Sequence, residues 1–253
     1  MADILSWIVP PGLDLFQSLL LIVVSFFTSA ITATFGLGGG SAMIAVMSLL
    51  MSPAVVVPVH GAVQLGSNAG RAVLRRNYIQ WDFAGWFVLG SAIGAVIGGQ
   101  VAQFLPEHWF RAAIALFILY SIWAPKPVFK ANGTPSYVAA GTFTSAVGMV
   151  VGVSGPLVIS FLKHLTDRRE IVGTHAFLMS MQNTFKLVTF MLLGFAFHDY
   201  VILILLMIAT GYAGTHLGSH FLDRLPETVF RWAFRIILTV IAIDLLRRSF
   251  FGG

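Results

Sequence analysis

Phe35-Gly36-Leu37-Gly38-Gly39-Gly40 interrupts one long apolar run, and Val151-Gly152-Val153-Ser154-Gly155-Pro156 interrupts another. Apolar sequence resumes after each break, so neither reads as an ordinary surface turn. A bilayer tolerates irregular backbone only where protein buries it or where it lines a cavity, because the hydrocarbon offers no partner to exposed N–H and C=O groups. The two breaks are therefore expected to form the heart of a transport site.

The surrounding composition supports a membrane setting. Of 253 residues, 57% are hydrophobic and only 10% are charged, where a soluble domain carries about a quarter charged residues. Mean hydropathy is +0.87. These values predict an all-α polytopic membrane protein in contact with the lipid bilayer. A sequence pI of about 9.9 is also what a nucleic-acid binder shows. The 15 Lys and Arg, however, lie between apolar segments, where topology accounts for them, and no nucleic-acid partner is expected. Cysteine is absent, which removes disulfides, thiol chemistry and cysteine metal sites. Met1–Pro11 lacks the basic start of a cleavable signal.

The apolar stretches are 15–35, 39–51, 54–74, 83–104 and 109–123, then 137–151, 156–162, 171–195, 200–221 and 228–246. A polar link, 125–135, divides the chain into expected repeats 1–124 and 136–253. The halves share more than hydropathy. Phe27-Thr28-Ser29-Ala30 returns as Phe143-Thr144-Ser145-Ala146, and Gly36 and Gly39 match Gly152 and Gly155. His60, Asn68 and Arg71 match His175, Asn183 and Lys186. Asp82 matches Asp199, each expected to cap a helix, and Leu105-Pro106-Glu107 matches Leu225-Pro226-Glu227. Ordered matches with small gaps indicate a duplicated half.

Basic residues in short loops mark the cytoplasmic side. Arg75 and Arg76 follow the third segment of the first half, while the matching loop 194–200 has no Lys or Arg. Lys163, Arg168 and Arg169 follow the short segment of the second half, while Met51-Ser52-Pro53 has none. The bias flips, so the repeats are expected to be inverted. Each would be a broken or re-entrant helical hairpin followed by three crossings, with both termini outside. Arg247-Arg248 opposes that placement of the C-terminus.

A helix that starts inside the membrane directs unpaired N–H groups and a positive dipole end into the site, which suits an anion. Gly38, Gly39, Gly40, Ser154 and Gly155 are the candidates for backbone donors and close approach. Close helix packing is the competing explanation of such small residues. Past each break lies a polar stripe. His60, Gln64, Asn68 and Arg71 fall within roughly 80° of one helix face, and His175, Asn183 and Lys186 repeat it, with Met179 at the Gln64 position and Gln182 aligned with Ser67. Polar and basic groups in a bilayer usually face a cavity or a partner. Two such stripes would make a positive site rich in amide donors, suited to an oxyanion. For the histidines the plainer reading is an interhelical hydrogen bond; for Arg71 it is snorkelling to the interface.

Two other chemistries fit parts of the sequence. His216 and His220, one turn apart with Asp223 nearby, have metal-compatible spacing, but the pair is isolated and no metal or cofactor is expected. Gly152-Val153-Ser154-Gly155 with His175 downstream has the form of an intramembrane serine protease. Duplication explains Ser154 and His175 together with their partners Gly38 and His60, so no enzyme is expected. Asp244 and Arg248 are spaced for a local ion pair.

The break Gly36-Leu37-Gly38-Gly39-Gly40, Pro53 and the helix to Arg71, and the second-half run from Gly152-Val153-Ser154-Gly155 to Lys186 together resemble the TauE/SafE family of sulfite exporters, also called the sulfonate uptake permease family. The resemblance covers nearly the whole chain. It implies a carrier of small sulfur-containing anions, sulfite or organosulfonate, in a prokaryotic inner membrane. Ser154 and Pro156 depart from the glycines of the first break. The expectation is a secondary transporter that works by alternating access, with a coupling proton or sodium ion. A channel, or a carrier of a carboxylate or metal cation, is the alternative.

Overall fold

The computed structural model describes residues 9–35, 38–125, 133–218 and 227–252. Within them the chain is helical, with no strand. The helices are α1 (Leu15–Phe35), α2 (Gly39–Leu50), α3 (Pro53–Leu74), α4 (Trp81–Phe104), α5 (Glu107–Trp123), α6 (Thr134–Val151), α7 (Gly155–Leu162), α8 (Arg168–Leu192), α9 (Val201–Ala213) and α10 (Glu227–Phe251). A 3₁₀ turn, Phe197–Tyr200, leads into α9, and a π-helical turn, Gly214–Gly218, follows it.

Three of these segments, Leu15–Phe35, Trp81–Phe104 and Phe197–Leu217, are long and apolar enough to cross a membrane. Their outward faces are apolar as well: Ile93, Val96, Ile97, Val101 and Phe104 of α4, and Ile236, Ile237, Val240 and Ile243 of α10, are exposed. Exposed apolar surface on that scale marks a membrane-facing wall. The interior, by contrast, holds many small and polar groups, among them Ser25, Thr28, Ser91, Thr144 and Ser145.

Helix starts follow local chemistry. Asp14 Oδ1 accepts from Gln17 N at 2.7 Å while Gln17 Oε1 accepts from Asp14 N at 3.0 Å, a reciprocal cap at the start of α1. Asp167 caps α8 by accepting from Arg169 N at 2.7 Å. The two aspartates expected to cap do not. Asp82 lies in the first turn of α4 behind Gln80, where a carboxylate meets the helix dipole instead. Asp199 sits inside the 3₁₀ turn, 3.0 Å from His198 Nε2. At the start of α5, Pro106 occupies the N-cap and Glu107 pairs with Arg111 at 2.6 Å. Its second copy, Leu225-Pro226, lies outside the described residues. Asp244 forms the expected pair with Arg248 at 2.7 Å and a second with Arg247 at 2.9 Å.

Helix pairing crosses the middle of the chain. Gly90, Gly94 and Gly98 of α4 lie against the carbonyls of Val138, Thr142 and Ala146 of α6, where a Cβ would collide, so the two helices run parallel in near-backbone contact. Thr142 Oγ1 donates to Gly90 O at 3.0 Å across that seam. Likewise α1 runs parallel to α9: Tyr200 Oη donates to Pro11 O at 3.3 Å, Thr210 Oγ1 to Ile22 O at 2.9 Å, and Gly214 abuts Phe26 O. The third helices run antiparallel, with Gly61 of α3 against Lys186 of α8 and Arg75 O just past α3 against Gly173. So do α5 and α10, with Trp109 beside Phe250 and Trp123 beside Trp232.

Candidate functional site

Both glycine breaks end in a short helix, and residues at the two starts line one cavity. Gly36 and Leu37 lie outside the described residues. Gly38 has φ +105° and precedes α2, and Gly152 has φ +79° and closes α6. Both conformations favour glycine. Gly39 and Gly40 serve close approach: a Cβ at Gly39 would strike Thr28 O, and one at Gly40 would strike Gln64 Nε2. Gly155 is less confined, since its Cβ would lie 3.5 Å from His175 Nε2. Pro156 occupies the first turn of α7, where a missing N–H costs nothing. The first backbone bond of α2 runs from Ala42 N to Gly38 O at 2.9 Å, which leaves the amides of Gly39, Gly40 and Ser41 without an acceptor inside the helix.

A cavity of about 60 Å³ lies between the two helix starts. Gly38, Gly40 and Ser41 line it from one break, and Val153, Gly155 and Pro156 from the other. Gln64, Asn68 and Arg71 of α3, His175 and Met179 of α8 and Thr32 of α1 complete the wall. Among the described residues no carboxylate lines it. Arg71 is held on its own helix, donating from Nε to Ser67 O at 3.2 Å and from a terminal nitrogen to Ser67 Oγ at 2.9 Å. Asn68 Nδ2 donates to Gln64 O at 2.8 Å. His175 Nε2 lies 3.3 Å from Gly155 O.

The other candidates stand behind this wall. His60 is 1% exposed and bridges the breaks, with Nδ1 3.2 Å from Gly152 O and Nε2 3.1 Å from Gly40 O. His60 and His175 thus approach carbonyls that lie the same 20 residues before them. Gln64 Nε2 is also 3.3 Å from His60 Nε2, so a neutral ring that donates from Nδ1 can accept there from the amide. Lys186 Nζ donates to Gly152 O at 2.8 Å. Ser154 Oγ donates to Gln182 Oε1 at 2.6 Å, and Gln182 Nε2 donates to Ser91 Oγ at 3.1 Å and Thr144 Oγ1 at 2.9 Å. Asn183 is 2% exposed, and its Nδ2 has no partner. Gly39 is buried against α1.

Seven of the thirteen sequence candidates therefore meet at the cavity: Gly38, Gly40, Gln64, Asn68, Arg71, Gly155 and His175. Gly39, His60, Ser154, Gln182, Asn183 and Lys186 pack around it. Thr32, Ser41 and Met179 line it without having been singled out as ligands; Ser41 directly follows the glycine run, which is the one signal that could have found it. The serine-protease arrangement is absent, because Ser154 bonds Gln182 while His175 meets Gly155 O. His216 lies in the π-helical turn, whereas His220 and Asp223 lie outside the described residues. Among the described residues no group of three His, Asp or Glu side chains could hold a metal.

The apolar outer faces and the three segments long enough to cross a membrane place the chain in the class of helical membrane proteins. The family model described as Sulfite exporter TauE/SafE matches residues 21–245. The chain belongs to that family of transporters. No curated protein and no solved structure matches it.

Proposed function

We propose that the protein is a secondary transporter of small sulfur oxyanions or organosulfonates, such as sulfite, and that the cavity between α2 and α7 is its binding site. The cavity itself carries the reading: two helix starts, the Arg71 guanidinium and the Gln64 and Asn68 side chains converge on a space with no lining carboxylate among the described residues. Helix starts and guanidinium groups both favour an anion. The volume of about 60 Å³ offers room for roughly four water-sized atoms, and sulfite has four non-hydrogen atoms.

Direct ligands would be Gly38, Gly40, Gln64, Asn68, Arg71, Gly155 and His175. Gly39, His60, Ser154, Gln182 and Lys186 would set the breaks in place, with Asn183 packed behind them. Residues 1–124 and 136–253 would be inverted repeats joined by 125–135, rocking about the two hairpins to give alternating access. The antiparallel pairing of α3 with α8 and of α5 with α10 supports this reading, because repeats related by an axis along the membrane normal would pair like helices in parallel. The setting would be a prokaryotic inner membrane, spanned several times, with a proton or sodium ion as the coupling partner. Proteoliposomes loaded with sulfite test the proposal: saturable flux and counterflow that require protein are expected, and flux equal to that of empty liposomes would overturn it.

A further inference from the structure

A second, larger cavity of about 190 Å³ adjoins the first. The two share Gly38, Ser41 and Pro156 as wall residues. Phe234 stands at that boundary, its ring 3.1 Å from where a Cβ at Gly38 would be. Phe35 stacks on Phe230 at 4.1 Å and Phe230 on Phe234 at 5.7 Å, making one apolar wall.

The polar side of this vestibule is Arg235 of α10, with Arg231 one turn before it. The Arg235 guanidinium lies over two indoles, 5.4 Å from the Trp123 ring centre and 5.8 Å from that of Trp232. Trp123 is itself anchored, donating from Nε1 to Thr239 Oγ1 at 2.9 Å. Ring faces hold a guanidinium by its charge and leave its N–H donors unspent. Among the described residues no carboxylate lines the vestibule or pairs with Arg235. A held guanidinium with free donors opposite an apolar aromatic wall fits an amphiphilic anion, with the charged head on the arginine and the hydrocarbon on the rings.

We propose that this vestibule is a second anion site, which binds a short alkanesulfonate by its headgroup at Arg235 and its chain against Phe230 and Phe234. As a receiving station for the inner cavity it rests on the reading above; as a binding site it is tested separately. The inner cavity has room for a headgroup alone, so the vestibule is where a sulfonate bearing a chain is distinguished from bare sulfite.

The test is calorimetric titration of the full-length protein in detergent with 1-propanesulfonate and, separately, with sulfite. Propanesulfonate is expected to bind, Arg235→Gln to weaken it at least about tenfold, and Arg235→Lys to restore part of the loss. Arg71→Gln should weaken sulfite at least about tenfold and propanesulfonate less than Arg235→Gln does. Tryptophan emission should respond to propanesulfonate and lose that response in Trp123→Phe/Trp232→Phe. If propanesulfonate fails to bind while sulfite binds, or binds with dependence on Arg71 and not on Arg235, the vestibule site is overturned and the inner site stands. If sulfite ignores Arg71 while propanesulfonate follows Arg235, the inner assignment falls instead. Binding of neither anion overturns both.

Discussion

Lys186 and His60, from different helices, converge on one backbone oxygen: the Lys186 ammonium donates to Gly152 O at 2.8 Å, and His60 Nδ1 lies 3.2 Å from the same atom. Gly152 closes α6 in a left-handed conformation, where carbonyls lack intrahelical donors. Lys186 is thus a prop for the second break, and it is not among the residues that line the cavity. Lys186→Met preserves most of the packing and deletes the donor. It is expected to lower stability by about 1–3 kcal/mol, seen as a lower thermal midpoint, with sulfite affinity changed less than by loss of Arg71. A larger affinity loss than in Arg71→Gln would place Lys186 on the ligand.

Arg71 is the cation that faces the cavity. Charge-assisted hydrogen bonds contribute about 1.5–3 kcal/mol, so Arg71→Gln is expected to raise the KM for sulfite roughly ten- to hundredfold. Arg71→Lys should recover part of that, since charge remains and the planar fork is lost. Ser67→Ala, which frees the guanidinium from Ser67 Oγ, should raise KM only a few-fold. Flux measured over a range of sulfite concentrations separates these three outcomes.

The matched asparagines should behave differently. Asn68 lines the cavity, whereas Asn183 is buried with Nδ2 unpaired. Asn68→Leu removes an amide from the wall and is expected to reduce transport at least about tenfold. Asn183→Leu replaces a buried, unsatisfied group by an apolar one of similar size, which is close to neutral or stabilising. Its transport should remain within about threefold of the parent. Equal loss in both would show that the matched positions contact the ligand alike.

The glycines divide in the same way. Gly39→Ala places a methyl group onto Thr28 O, and Gly94→Ala places one onto Thr142 O. Backbone cannot give way as a side chain can, so each is expected to destabilise by about 1–3 kcal/mol or more. At Gly155 the new Cβ would meet His175 Nε2 at an ordinary 3.5 Å, and Gly155→Ala should leave the thermal midpoint nearly unchanged. Thermal unfolding of the three purified variants checks the order.

Helix positions were legible because apolar runs and glycine breaks act locally: α1 and the start of α2 fall where the sequence places them. The stripe on α8 was harder. Residue offsets fix which side chains share a face but not what covers that face. His175 and Met179 reach the cavity, while Gly61 lets α3 come down over Lys186 and closes the far end of the stripe. Arg235 has Trp232 three residues before it on α10, but Trp123 and the cavity boundary at Gly38 come to it only when α5, α10 and α2 meet. The capping aspartates misled for a related reason: Asp82 and Asp199 lie near helix starts, but the starts themselves fall elsewhere, at Trp81 and Val201.

Inversion of the repeats makes a prediction that the cysteine-free sequence renders unusually clean. Asn77 lies in the turn after α3 and Ala196 in the loop after α8, the two loops that correspond in the repeat. Since α3 and α8 run antiparallel, with Arg75 O beside Gly173 and Gly61 beside Lys186, the ends of the two helices lie at opposite edges of the pair. Asn77→Cys and Ala196→Cys, each the only thiol in its variant, should therefore react with a membrane-impermeant maleimide from opposite faces of oriented vesicles. The basic side of a membrane protein is cytoplasmic, so Asn77→Cys, next to Arg75 and Arg76, should label only from that side. Labelling of both from one face would sink the inverted arrangement, and with it the two-hairpin rocking motion, while leaving the anion cavity to be judged by flux.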